Sequence, residues 1–158
     1  MTRLAALPLL AAVLVSGCGS GGAPNGDPRP VAAKVVDMIV HNKYSASWDA
    51  LYSGDQEVAP FAEYVGCETR NPVIAVPRAV KVLSVNDESV GIGDGTFRDS
   101  KAVDVRLEFE GGFHVVHTVH LVGEDGKWKY ILPSWRYRDY KADRCPTDAG
   151  SAPAPQPS

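Results

Sequence analysis

The sequence lacks the raw material of several protein classes. Its charge is nearly balanced, 16 Lys plus Arg against 19 Asp plus Glu for a net −3, and neither sign forms a run. Phosphate-backbone binding needs clustered cations that release counterions, so no nucleic-acid partner is expected, and an acidic tail is absent too. Cysteine is scarce, at 3 residues without a CxxC, and no clustered His accompanies any of them. Redox catalysis and a Cys/His zinc site therefore lack their motifs, and no metal is expected. No apolar run reaches the ~20 residues of a transmembrane helix. At 158 residues, 44% apolar and 22% charged, the chain has the length and composition of one soluble domain. Gly91, Gly93 and Gly95 follow no βα pattern and open no helix, which removes a dinucleotide site and leaves turn glycines. No cofactor is expected, and no constellation of residues dictates a reaction.

What is present begins with an export address. Arg3 precedes an apolar run over residues 4–15, broken by Pro8, and small Ser16 and Gly17 follow, the tripartite form of a secretory signal over residues 1–17. Leu14-Val15-Ser16-Gly17-Cys18 resembles the lipobox of bacterial lipoproteins. That resemblance implies cleavage before Cys18, a diacylglycerol on its thiol, and an extracytoplasmic chain at the outer face of the cell membrane. Two acyl chains hold a protein there stably where one is marginal. The plain alternatives for Cys18 are a free thiol or a disulfide partner. Residues 18–30, rich in Gly and Pro, read as the lipidated Cys and a flexible tether, and residues 148–158 as a disordered Pro/Ala tail. The folded domain is predicted over 31–147.

Setting Cys18 aside leaves Cys67 and Cys145, an even number in a compartment where disulfides persist. They are predicted to pair, tying the helical half of the chain to its last strand. The alternatives are two buried free thiols or, less simply, a metal site.

Within the domain, apolar Val31, Val35, Met38 and Ile39 recur with helical period, Pro30 suits a helix start and Asn42 its end. Tyr44, Trp48 and Leu51 continue at spacings of four and three, with Ser45 or Ser47 as an N-cap. Ser53-Gly54-Asp55 reads as a turn, and a third short helix is predicted from Pro60 to near Gly66. The period then changes. Val80, Val82 and Val85 mark a β-branched stretch, and Val103, Val105, Leu107 and Phe109 alternate with charged residues. Gly111-Gly112 reads as a two-residue hairpin turn into Phe113, Val115, His117, Val119 and Leu121, and Glu124-Asp125-Gly126 turns into Trp128, Tyr130 and Leu132. Three strands thus form an antiparallel meander. Residues 87–101 read as a loop or loose hairpin, long enough to be functional.

Helices first and a curved antiparallel sheet after them make an α+β fold. Trp48 and Leu51, Tyr64 to Cys67, Val103 to Phe109, the Gly126-Lys127-Trp128-Lys129-Tyr130-Ile131-Leu132 segment and Tyr140 through Cys145-Pro146 resemble small secreted lipoproteins of high-GC Gram-positive bacteria. Those have the cone fold of nuclear transport factor 2, also called cystatin-like. The resemblance covers about residues 31–146 and implies a cone that holds an apolar ligand, in a superfamily that includes isomerases, dehydratases, cyclases and non-enzymatic accessory modules. In the isomerase-like members an acidic base and a Tyr sit in the cone. Here every carboxylate over 103–110 alternates away from the apolar face, so the base is missing on the strands.

His117 shares the apolar register, while His114 and His120 point the other way, so the three cannot converge on a metal. His117 is either a hydrogen-bonded core residue or a pocket acid/base that shares a cavity with Tyr130 and Tyr64. The aromatic residues Trp48, Phe61, Trp128, Tyr130, Trp135 and Tyr137 fill the core or line a cleft. Arg136, Arg138, Lys141 and Arg144 either face anionic polymer or lipid headgroups or, with Asp139 and Asp143 between them, form a solvated surface. The sequence thus predicts a membrane-anchored binding or accessory module for a small apolar ligand or an envelope protein. Its rivals are a cone-fold enzyme using His117 and a pure interaction domain whose cone is filled.

Overall fold

The structure is a computed structural model that describes residues 24, 26–92 and 95–147. Cys18, the signal segment and the tail over 148–158 lie outside the described residues. The element order is α1 (Pro28–Val40), α2 (Tyr44–Asp49), α3 (Ser53–Val58), α4 (Phe61–Arg70), β1 (Ala79–Gly91), β2 (Phe97–Glu108), β3 (His114–Glu124), β4 (Lys127–Tyr130) and α5 (Ser134–Lys141). The strands form one antiparallel meander in the order β1-β2-β3-β4, giving the α+β architecture.

Helix α1 begins earlier than its apolar period indicates. The Asp27 carboxylate accepts the Arg29 N–H at 3.0 Å, and Pro28 and Pro30 occupy a first turn whose N–H groups have no helical partner to lose. Its inner face is Ala32, Val35, Val36, Met38 and Val40. Asn42, at φ 56°, ends the turn that follows. Its side chain then pairs both backbone groups of Val73, donating to the carbonyl at 3.0 Å and accepting the N–H at 2.8 Å. Ser47 is no cap. It lies inside α2, with its hydroxyl 2.9 Å from the Tyr44 carbonyl and 3.1 Å from the Tyr64 hydroxyl. The expected third helix runs past Gly66 to Arg70 as α4.

In the sheet, the irregular spacing of Val80, Val82 and Val85 has a structural cause. Leu83 is the extra residue of a bulge, since Val82 pairs with Val105 and Ser84 with Asp104, so all three valines stay on the core side. The connection after Phe109 holds three residues rather than two, Glu110 to Gly112, with both glycines at positive φ. Asp125-Gly126 is a two-residue hairpin turn with φ 49° and 71°, the conformation that matches strand twist. The stretch over 87–101 is mostly strand: β1 and β2 pair out to Gly91 and Phe97 as one long hairpin.

The core lies between the helices and one sheet face, built on Val35, Leu51, Val103, Val105, Val119, Leu121 and Tyr140, all at most 1% exposed. At ~1.5–3 kcal/mol for each large side chain removed from water, this layer dominates the favourable side of folding. A smaller cluster of Tyr52, Ile92, Val122 and Ile131 covers the other face at the β1–β2 tip.

Residues 134–141 form a helix, which the sequence reading did not include, and Cys145 follows this helix rather than a strand. The structure joins Cys145 to Cys67 of α4 in a disulfide, with Cα atoms 5.1 Å apart. Glu68 reinforces the same seam. It accepts the Tyr140 hydroxyl at 2.7 Å and forms an ion pair with Arg136.

Replacing both Cys67 and Cys145 by Ser should lower the unfolding free energy by on the order of 4 kcal/mol, the loop-closure value for a 78-residue separation. Urea denaturation of the oxidised protein against the double variant measures this. Peptide mapping without reductant that recovers the two cysteines as separate alkylated peptides would contradict the bridge.

Candidate functional site

The most unusual group in the molecule is Asp55, a carboxylate with no exposed surface. Its position follows from how the chain leaves β4. Tyr130 donates its backbone N–H to the Ala50 carbonyl at 2.8 Å and accepts the Tyr52 N–H at 2.8 Å, so residues 50–52 run beside β4 as a short parallel bridge. A further ladder step would send the Leu132 N–H to the Tyr52 carbonyl. That carbonyl is already taken by the N–H groups of Asp55 and Gln56, at 3.0 and 3.1 Å, as α3 begins. Asp55 resolves the conflict by offering its own Oδ2 to Leu132 at 2.7 Å. A buried N–H without a partner would cost about 1–3 kcal/mol, which makes this bond a structural requirement.

The other oxygen, Oδ1, is buried with no hydrogen-bond partner among the described residues. Burial first of all, with the nearby Glu124 charge adding to it, pushes the Asp55 carboxyl up to about 7, against the opposing effect of the Leu132 N–H. Asp55 lines a cavity of about 420 Å³ between α3, α5 and the β1–β2 tip. Ile92, Phe97, Ile131, Leu132 and Tyr137 supply apolar walls, and Arg138 and Lys141 supply positive charge. Lys141 Nζ lies 5.7 Å from the Tyr137 ring centroid. The volume is within the ~300–1,000 Å³ of small-molecule sites, and one buried polar group among apolar walls is their usual composition.

Tyr64 and Tyr130, the two tyrosines singled out from the sequence, do come together. They line a cavity of only about 70 Å³ between the helices and the sheet, with Ser47, Glu68 and Arg136. At ~30 Å³ per water this has room for solvent but for no organic ligand. Burial raises both phenols above the ordinary tyrosine range.

His117 does not join them. It sits opposite Val105 on the core-side face as predicted, yet it is exposed and lines neither cavity. The reason is length: β4 pairs only with residues 121–124 of β3, so the sheet at Val115 and His117 extends beyond its cover. Protein packed along the ring, and secondly His120, hold the His117 imidazole below its usual pKa, but its exposure gives it no enclosed site. His120 is half-buried on the other face against Glu88, which also accepts the Ser100 hydroxyl at 2.8 Å. Among the aromatics, Tyr137 reaches the Asp55 cavity, and Trp128 lines another of about 430 Å³ between α1, α2 and β4. Trp48 packs on the core and donates to the Ala59 carbonyl at 2.8 Å.

Sequence reasoning missed Asp55 because Ser53-Gly54-Asp55 has turn composition. A signal was present nonetheless: Asp55 continues the 48, 51/52, 55, 58/59 spacing of one helical face and is its only charged member. No family model and no curated protein matches the chain.

Asp55 makes a defined contribution to stability against pH. Its folded value of about 7 exceeds the ordinary 3.8, so between those values the folded state holds a proton that the unfolded chain has lost. The stabilisation is complete below about pH 4 and is lost as pH rises through about 7, a change of up to ~4 kcal/mol. Asp55→Asn keeps an acceptor for Leu132 and cannot ionise. Urea unfolding should show the variant gaining on wild type by a few kcal/mol from about pH 5 to about pH 8, whereas parallel curves would refute a titrating Asp55.

Proposed function

We propose that the chain is a lipid-anchored, extracytoplasmic binding module whose ligand site is the Asp55 cavity. The observation that carries this is a cavity of about 420 Å³ with apolar walls, two cations and, behind its lining, the fully buried Asp55 carboxylate with its partnerless Oδ1. An ordered protein rarely leaves such an oxygen unsatisfied unless a bound molecule or solvent completes it. The lipobox-like Leu14–Cys18 segment supports anchoring at the membrane through Cys18, and the helices-then-meander order supports the cone fold of nuclear transport factor 2. Val35, Leu51, Val105 and Tyr140 fill the space between helices and sheet, which favours a ligand at the sheet's end over one held inside a cone.

A second reading is favoured by the same residue. A carboxyl poised near neutrality behind the wall of an apolar cavity is the kind of group that acid–base catalysis employs, so an acid–base enzyme would use Asp55 rather than His117.

An anionic fluorescent probe, anilinonaphthalene sulfonate, should brighten on binding the native protein. Thr96→Trp, an exposed substitution at the cavity lining, should weaken binding at least tenfold, while His117→Ala should leave it unchanged. The reverse pattern would place the site on the sheet face. For the anchor, Cys18→Ser should move the protein from the membrane to the soluble fraction and abolish incorporation of labelled fatty acid.

A further inference from the structure

The cavity has a fixed relation to the point where the chain enters the domain. Pro24 packs directly over Gly123, where a Cβ would lie 2.5 Å from the proline ring, and Trp128 Nε1 donates to the Gly26 carbonyl at 3.0 Å. Both contacts are beside the β3–β4 turn. Ser100 pairs with Val122, so Phe97, three residues further along β2, projects roughly 10 Å beyond Val122 toward that same end. Phe97 lines the cavity and is 74% exposed. The opposite end, at Gly112, is about 33 Å back along β3 from Val122. From Cys18 to Pro24 is six residues, which extend at most about 20 Å. A lipid on Cys18 therefore holds the β1–β2 tip near the bilayer and the Gly112 end away from it.

The lining specifies a chemistry. Ile92, Ile131 and Leu132 suit an acyl chain. Arg138 and Lys141 suit an anionic head, and Asp55 is the sole acid among the described lining residues. We infer that the cavity draws its ligand from the membrane, and that this ligand is a single-chain anionic amphiphile of the lysophospholipid class. The inference rests on the Asp55 cavity being the ligand site.

The test uses the full lipidated chain in vesicles. Phe97→Trp and Phe113→Trp, both at exposed positions, are compared with wild type for fluorescence quenching by lipids brominated in the acyl chain. Tryptophan at 97 should be quenched and at 113 not; equal quenching overturns the orientation. Acyl-labelled lysophosphatidylglycerol should bind at least tenfold more tightly than lysophosphatidylcholine of the same chain, and Arg138→Gln with Lys141→Gln should erase that preference. Equal affinity of the native protein for the two overturns the anionic class. If anilinonaphthalene sulfonate and both lysolipids all fail to bind the Cys18→Ser protein in vesicle-free solution, the cavity reading itself is overturned.

Discussion

The bridge between residues 50–52 and Tyr130 is the constraint from which the site follows. β4 is four residues long, too short to carry its own cover, and its outer edge is paired by the chain between α2 and α3. Because that segment must turn into α3 immediately, the Tyr52 carbonyl serves the helix and cannot also serve the sheet. A side-chain acceptor has to be supplied for Leu132, and it has to come from the first turn of α3. Aspartate reaches from there. Its burial, its raised pKa and its free oxygen are consequences of one hydrogen-bond conflict at the sheet's edge.

The distribution of volume follows from the same arrangement. Helix α1 lies over the middle of the sheet and, with Leu51 and Tyr140, fills the space where a cone would hold a ligand. The β1–β2 hairpin outruns its neighbours at one end. There, Ile92 packs on Tyr52, Val122 and Ile131 while Phe97 stays largely exposed, and the 420 Å³ cavity lies between this tip, α3 and α5. At the other end β3 outruns β4, leaving Phe113 and His117 uncovered. Enclosure needs elements on several sides, and only the first end has two helices to supply them.

This separates what was legible in the sequence from what was not. The strand of Val103 and Val105, the Asp125-Gly126 turn, helix α1 and the α+β order all follow from period and turn chemistry, which act locally. Alternation also places His117 on the core-side face. It says nothing of how far the cover extends, so face was correct and burial was not. Helix α5 escaped because Ser134 to Lys141 has weak amphipathic patterning: Tyr137 and Tyr140 are its buried residues, amid charge on both sides. The contact that holds it is the non-local seam to Cys67 and Glu68, invisible to a reading along the chain. Asp55 was hidden for a related reason. Its burial is decided by the needs of Leu132, 77 residues away.

The two oxygens of Asp55 divide structure from function in a single side chain. Oδ2 is committed to Leu132, and a hydrogen bond to the ionised form should pull the carboxyl toward its ordinary acidity. Desolvation opposes that pull and prevails because Oδ1 has nothing to receive from the protein. Were Asp55 only a helix-to-sheet clasp, a neutral acceptor would serve without the cost of an ionisable group in a buried place. An asparagine there would satisfy Leu132 equally and carry no charge. What the carboxylate adds over the simpler amide is an ionisable group at the wall of the 420 Å³ cavity, and that addition is the argument for a role beyond the clasp.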